Sequence, residues 1–77
     1  MKDKDGFNIL KAVGSNLRKA RKAKGYTMES LASEAEIEYW QLGRIERGEI
    51  NTPILSLLKI TEVLKIKLDE LIKFDFE

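Results

Sequence analysis

The sequence predicts an all-α fold in which five helices form one compact bundle. Apolar residues recur at spacings of three and four along most of the chain, which is the pattern of an amphipathic helix. Single glycines and the one proline separate these stretches into five pieces. Alternation of the kind that indicates strands is absent before the last few residues. The length of 77 residues fits a single small domain, 1–77.

The first helix is predicted over residues 8–24. Its apolar positions fall on one helix face and are Leu10, Val13, Leu17 and Ala20. Asn8 is a suitable N-cap residue. Gly25 suits the position after the last helical residue, where a left-handed backbone commonly ends a helix. Residues 1–7 are therefore expected to form a short N-terminal extension.

Two short helices follow the first one. Thr27 is predicted to cap a second helix, whose apolar positions again share one face and are Met28, Leu31, Ala32 and Ala35. A tight turn at Glu36 and Ile37 leads into a third helix over residues 38–47. Glu38 at the start of this third helix favours the positive end of the helix dipole.

The one proline marks the start of a fourth helix. Thr52 is predicted as the N-cap and Pro53 as the first helical residue. Residues 53–64 are apolar almost all round the helix, so this helix is expected to be buried on most sides. A last short helix is predicted over residues 68–73.

Charge is distributed unevenly along the chain, although the net charge is only +1. Up to residue 27 there are eight lysines and arginines against two aspartates, whereas the only charges over residues 28–38 are four glutamates. A basic first helix suits a polyanionic partner, and it equally suits a helix face that simply contacts water.

The composition argues against an enzyme and against most ligand sites. The chain contains no cysteine and no histidine, which excludes disulfides, thiolate metal sites and the commonest general base. Its glycines are scattered singly and form no phosphate-binding loop. No apolar run is long enough to span a bilayer or to form a signal peptide. We expect a cytoplasmic protein without cofactor, metal, small-molecule ligand or membrane partner.

The second and third helices carry the informative pattern. A short helix, a tight turn and another short helix, here over about 28–47, form the arrangement that presents one helix to the major groove of DNA. At about 100° per residue, Leu42 and Ile45 share the inner face of the third helix with Glu38. The opposite face holds aromatic, small and basic residues, namely Trp40, Gly43, Arg44 and Arg47, with Tyr39 and Gln41 at its edges.

This outer face suits contact with nucleic acid. Arginine can bond to a guanine edge through two hydrogen bonds, and glycine admits a close approach. An alternative interpretation is a face in contact with water, on which the aromatic residue covers a neighbour. An exposed tryptophan usually has a partner, either DNA or another subunit.

Several stretches together resemble one known family. They are residues 13–21, Leu31-Ala32, residues 37–48 with the run Arg44-Ile45-Glu46-Arg47-Gly48, residues 57–60, Val63-Leu64 and residues 68–71. With this spacing, residues 13–72 resemble the lambda-repressor/Cro-type family of helix-turn-helix domains, also called the XRE family. The resemblance implies a lambda-repressor-like DNA-binding domain.

The resemblance also implies roles for individual residues. The positions that contact bases in the family fall on Tyr39, Trp40 and Arg44. The positions that contact the DNA backbone fall on Thr27, Met28, Gln41, Arg47, Asn51 and Thr52. Arg21 and Glu46 match an arginine and a glutamate that form a structural ion pair in the family, and the alternative for them is two separate surface charges.

The sequence departs from the family pattern at a few positions. Met28 replaces a polar residue that contacts phosphate, and Glu36 replaces the usual glycine of the turn. Glu38 replaces a small hydroxyl residue; its carboxylate would repel phosphates or, alternatively, accept a hydrogen bond from cytosine N4. Lys65 and Lys67 replace the glycine and the cap that usually precede the last helix.

These observations together predict a sequence-specific transcriptional regulator that binds a near-palindromic DNA operator as a homodimer, with the recognition helix 38–47 in the major groove. The expected dimer surface combines exposed parts of the fourth helix with Leu68, Leu71, Ile72, Phe74 and Phe76; the alternative for these residues is completion of the core. The alternative function is a protein–protein interaction module on a helix-turn-helix scaffold, antitoxin-like or adaptor-like, that binds through Tyr39, Trp40 and the acidic second helix. A phage repressor, a restriction–modification controller and an antitoxin all fit.

Overall fold

The computed structural model describes residues 2–73. Within this range the chain folds into four α-helices, which are α1 (Asp3–Ala23), α2 (Met28–Ala35), α3 (Tyr39–Glu46) and α4 (Ile54–Leu64), followed by one turn of 3-10 helix at Leu68–Glu70. The all-α class is confirmed, with its pieces in the predicted order. The fifth piece is shorter than predicted and is not an α-helix.

The last turn is short because an asparagine side chain binds the backbone that follows it. The Nδ2 atom of Asn16 donates to the carbonyl oxygens of Leu71 and Lys73, both at 2.9 Å. Carbonyls held in this way by α1 are not directed along a helix axis toward later N–H groups. The chain therefore leaves the helical conformation after Leu71 and lies against α1.

The first helix begins five residues earlier than predicted. The backbone N–H of Lys2 donates to the Asp5 carboxylate at 3.2 Å, which satisfies one of the donors exposed at the helix start. The prediction of Asn8 as the N-cap was wrong, and residues 3–7, expected to be an extension, belong to α1. At its other end α1 stops as predicted, since Gly25 has a φ of +79° and donates to the carbonyl of Lys22 at 3.0 Å.

The core takes side chains from every helix and from the final turn. Six large side chains are almost completely removed from water, namely Leu17, Leu31, Leu42, Ile60, Leu64 and Leu71. Each contributes about 1.5–3 kcal/mol through burial. The two helices α1 and α3 cross closely at Gly14, where a Cβ atom would collide with the carbonyl oxygens of Ile45 and Glu46.

The fourth helix is buried on one side only. Leu57, Ile60 and Leu64 lie in the core. By contrast, Ile54 is 57% exposed, Leu55 67% and Leu58 44%. The prediction that this helix is buried on most sides was wrong, because residues 2–73 of a single chain supply a packing surface for only one of its faces.

The start of α4 also differs by one residue from the prediction. Pro53 has a ψ of 141° and occupies the N-cap, so Thr52 is not the cap and the first helical residue is Ile54. The Pro53 carbonyl accepts from the N–H groups of Ser56 and Leu57 at 3.0 and 3.3 Å. Among the residues described, no helix is long and apolar enough to cross a membrane.

Candidate nucleic-acid interface

The start of α2 is held by reciprocal hydrogen bonds between Thr27 and Ser30. The Thr27 Oγ1 atom accepts from the Ser30 N–H at 3.0 Å, and the Ser30 Oγ atom accepts from the Thr27 N–H at 3.0 Å. This capping box fixes where the helix begins. The first backbone N–H groups of a helix have no partner within it, so the start of α2 presents donors suited to an anion.

The turn between α2 and α3 adopts the conformation usually reserved for glycine. Glu36 has a φ of 57° and a ψ of 45°, and its N–H donates to the Ser33 carbonyl at 3.2 Å. The following residue, Ile37, donates to the Ala32 carbonyl at 3.0 Å. The left-handed conformation costs a non-glycine residue roughly 1–2 kcal/mol. Glu36 is therefore strained within this turn.

The three side chains predicted to contact bases are all exposed on α3. Tyr39 is 52% exposed and Trp40 60% exposed, and Arg44 is also open to water. On the other side of the helix Leu42 and Ile45 are buried in the core. One side of α3 is thus anchored, and the other side displays two aromatic rings and a guanidinium group.

Gly43 is covered on this face, contrary to the sequence-based interpretation that it admits a close approach. A Cβ atom at this position would lie 3.1 Å from Arg47 Nη1 and 3.4 Å from Met28 Cε. The side chains of Arg47 and Met28 cover the glycine, which is buried. The periodicity of α3 alone did not predict this, because Met28 reaches Gly43 from the neighbouring helix.

The residues predicted to contact the DNA backbone lie on two sides of the exposed face of α3. Met28 and Thr27 lie at the start of α2, where Met28 packs over Gly43. On the other side, Gln41 Nε2 donates to Ser56 Oγ of α4 at 3.1 Å. Asn51 and Thr52 lie in the loop that leads to α4. The outer face of α3 is therefore flanked by polar groups from both neighbouring segments.

Arg21 and Glu46 form a buried pair between α1 and α3. Arg21 Nε lies 2.7 Å from Glu46 Oε2, and Arg21 Nη2 lies 3.2 Å from Glu46 Oε1. Arg21 Nη1 also donates to the Tyr26 carbonyl at 2.9 Å. The two side chains are only 9% and 6% exposed. This two-bond geometry ties the last turn of α3 to α1.

A cleft of about 230 Å³ lies beside this pair. Its walls come from α1, α2 and α3, and its lining residues are Arg18, Arg21, Met28, Gly43, Glu46 and Arg47. Arg18 and Arg47 are exposed at the cleft. The cleft thereby brings the exposed Arg18 of α1 next to Arg47 at the end of α3, which the sequence pattern alone did not establish.

Comparison with known proteins assigns the family. Residues 17–71 match the family model described as helix-turn-helix. The chain belongs to the helix-turn-helix family. It is 31% identical over 66 residues to an uncharacterized HTH-type transcriptional regulator, y4dJ, of Sinorhizobium fredii, and the match covers 86% of each chain.

Solved structures agree with this assignment. The restriction–modification controller protein C.AhdI from Aeromonas hydrophila superposes with a TM-score of 0.78 and 35% identity, over 80% of this chain and 94% of that one. The N-terminal DNA-binding domain of SinR from Bacillus subtilis gives a TM-score of 0.76 and 32% identity, over 84% and 96%. The chain therefore carries the XRE-type helix-turn-helix DNA-binding fold.

One acidic residue of this helix-turn-helix domain was not predicted as part of the site. Glu49 Oε2 lies 2.8 Å from Arg47 Nε, and Glu49 Oε1 lies 3.3 Å from Arg47 Nη2 and 3.7 Å from Arg44 Nε. The hydrogen bond to Glu49 raises the pKa of Arg47, and the same bond lowers the pKa of the Glu49 carboxyl. The sequence signal was weak, because Glu49 follows the helix and helical periodicity does not extend to it.

The residues predicted to form the dimer surface differ in their exposure to water. Leu71 is completely buried in its own chain, so it cannot contribute surface to a partner, and its assignment to a dimer interface was wrong. Leu68 packs partly buried against the same core, whereas Ile72 is 46% exposed. Phe74 and Phe76 lie outside the described residues.

Proposed function

We propose that this chain is a sequence-specific DNA-binding transcriptional regulator that inserts α3 into the major groove. The observation that carries the proposal is that Tyr39, Trp40 and Arg44 are all exposed on α3, a helix whose opposite side is anchored in the core. A rigid helix that presents a guanidinium group and aromatic rings is suited to read base edges. The similarity to a controller protein and to the DNA-binding domain of SinR supports the proposal.

The proposed contacts with DNA are of two kinds, those that read bases and those that position the protein on the DNA backbone. Arg44 bonds to a guanine edge, and the rings of Tyr39 and Trp40 contact bases beside it. Phosphates bind to the N–H groups at the start of α2 and to polar groups flanking α3. The side chains in this second group are Thr27, Gln41, Arg47, Asn51 and Thr52. Met28 contributes its backbone N–H, since its thioether is a poor hydrogen-bond partner.

The proposed regulator acts as a homodimer through the open apolar face of α4. Ile54, Leu55 and Leu58 are 44–67% exposed and adjoin the loop that flanks α3. Exposed aliphatic residues in such a cluster favour a protein contact. A twofold axis beside α4 would present two copies of α3 to half-sites one helical turn apart, which requires a near-palindromic operator.

The proposal is tested by selection from a pool of random duplexes, followed by titration of the enriched sequences at several salt concentrations. We expect enrichment of a near-palindromic site and an affinity that falls steeply with salt, because phosphate contacts release counterions. Weak and uniform binding without enrichment would contradict the proposal.

A second candidate function is a protein-interaction module on the same scaffold. It is favoured by the exposure of Trp40 and Tyr39 together with the four glutamates over residues 28–38 and the net charge of only +1. An aromatic contact with a protein depends much less on salt than a contact with phosphates. The salt titration therefore distinguishes the two candidates.

A further inference from the structure

The backbone that follows α3 holds Glu49 beside the last turn of that helix. Gly48 has a φ of +69° and donates to the Ile45 carbonyl at 3.0 Å, and the Glu49 N–H donates to the Arg44 carbonyl at 2.9 Å. A Cβ atom at Gly48 would lie 2.6 Å from the Cα of Lys11, so the turn packs directly on α1. The location of Glu49 therefore follows from the helix end and the packing, not only from its side-chain rotamer.

The Glu49 carboxylate contacts the two arginines that are proposed to bind DNA. It meets Arg47 through two contacts of 2.8 and 3.3 Å and Arg44 through one of 3.7 Å. The three side chains are 44–59% exposed. An exposed ion pair of this kind is weak and exchanges readily for another partner.

Lys11 adds a third positive charge close to these two arginines. Lys11 Nζ donates to the Arg47 carbonyl at 3.4 Å. Two guanidinium groups thus contact a single carboxylate, and the nearby charge of Lys11 adds to those that lower the pKa of this carboxyl. The two carboxylate oxygens offer a guanidinium group the same pair of acceptors as a phosphate. A phosphate that binds the Nε and Nη2 atoms of Arg47 must displace Glu49 and also meets its negative charge.

We propose that Glu49 is an intramolecular competitor of DNA phosphates for Arg44 and Arg47, and that it weakens binding to arbitrary DNA more than binding to the operator. This inference rests on the proposed function. On arbitrary DNA both arginines bind phosphates, so both must leave Glu49. On the operator Arg44 bonds to an uncharged base edge, and the charge of Glu49 opposes that contact less. Glu49 therefore raises the ratio of specific to non-specific affinity, which is the quantity that decides where a regulator binds.

The test compares Glu49→Gln with the native chain on two probes, a duplex of random sequence and the duplex enriched from the random pool. Glutamine keeps the size of the side chain and removes its charge. We expect binding to the random duplex to tighten about two- to fivefold at moderate salt, with a smaller gain on the enriched duplex. Both chains make the same phosphate contacts on the random duplex, so the slope of log K against log salt concentration should be nearly the same for the two chains.

Two further variants make the comparison specific. Glu70→Gln removes the same charge from an exposed position in the final turn, beside α1, and we expect it to leave both affinities nearly unchanged. In an Arg47→Gln background, Glu49→Gln should change the affinity for the random duplex much less, because the main partner of the carboxylate is gone. Circular dichroism of every variant checks that the fold is intact.

The outcomes separate this inference from the proposed function. Equal binding by the native chain and Glu49→Gln, or an equal gain on both duplexes, overturns the inference and leaves the proposed function standing. Weaker binding by Glu49→Gln also overturns it, since Glu49 would then be orienting the arginines for their contacts. Failure of both chains to bind either duplex overturns the inference and the proposed function together.

Discussion

Replacing Glu46 by glutamine tests whether the pair between α1 and α3 holds the recognition helix α3 in place. The Arg21 guanidinium makes two hydrogen bonds to Glu46 and one to the Tyr26 carbonyl, and its side chain is only 9% exposed. In Glu46→Gln the carboxylate charge is gone while the buried guanidinium stays charged. Glutamine can accept at one oxygen only, so one of the two N–H groups loses its acceptor.

The expected loss of stability is about 3–5 kcal/mol, the usual cost of breaking a buried ion pair by removing one partner. Proteins of this size have a free energy of unfolding of roughly 4–12 kcal/mol, so the loss would be a large fraction of the total. For a domain of 60–100 residues, each kcal/mol lowers Tm by about 4–8 °C. The variant should therefore melt at least about 12 °C below the native chain.

Urea and thermal unfolding followed by circular dichroism measure this change directly. Glu62→Gln is the matched control, because it removes the same charge from an exposed site on α4 and should change the free energy of unfolding by less than about 0.5 kcal/mol. The double variant Arg21→Met with Glu46→Leu removes both charges and should recover most of the lost stability, since well-packed apolar side chains often replace a buried pair without loss.

A loss below about 1 kcal/mol for Glu46→Gln would refute the reasoning, because that is the range of an exposed pair. It would mean that the two side chains behave as separate surface charges in solution. A double variant no more stable than Glu46→Gln would also contradict the argument, since the penalty was assigned to a charge left without its partner.

Three further predictions follow from the site, the turn and the open face of α4. Arg44→Ala should weaken binding to the operator by about 1–3 kcal/mol and relax specificity at one base position, whereas Arg47→Ala should weaken binding to all sequences alike. Binding to a panel of single-base operator variants separates these patterns. Equal losses on every sequence for Arg44→Ala would mean that this residue contacts only phosphate. Glu36→Gly should raise the free energy of unfolding by about 0.5–1 kcal/mol, because glycine adopts the left-handed turn without strain. Urea unfolding checks this result, with Ser33→Gly inside α2 as a control that should lower the free energy of unfolding by up to about 0.5 kcal/mol. Leu55→Glu should abolish dimerisation in analytical ultracentrifugation without lowering helix content, since Leu55 is 67% exposed in the single chain; a dimer that persists would place the interface elsewhere.

The candidate site was predicted in part because helical periodicity is a local property. The spacing within α3 placed Leu42 and Ile45 on one face and Trp40 and Arg44 on the other, and burial in the structure follows this division. Gly43 was misplaced because Met28 belongs to another helix and periodicity carries no information on what a neighbouring helix covers.

The sequence by itself determined the fold class and the features set by a few consecutive residues. Thr27 and Ser30 cap α2 through bonds three residues apart, and Gly25 ends α1 because glycine readily takes a positive φ. The resemblance of residues 13–72 identified the family, which the family model confirms over residues 17–71. Such signals act over one or two helical turns, so they can be recognised without knowledge of the tertiary contacts.

Only the tertiary structure decided which apolar and charged residues meet across the chain. Leu71 completes the core, whereas Leu55, equally apolar, is open to water, because the bundle offers a surface to one and not to the other. Asn16 ends the last helical turn from 55 residues away, and Gly48 packs on Lys11, which helps to hold Glu49 beside Arg47. These outcomes depend on how helices pack in space, and residue spacing along the chain does not encode that packing in a form that can be recognised locally.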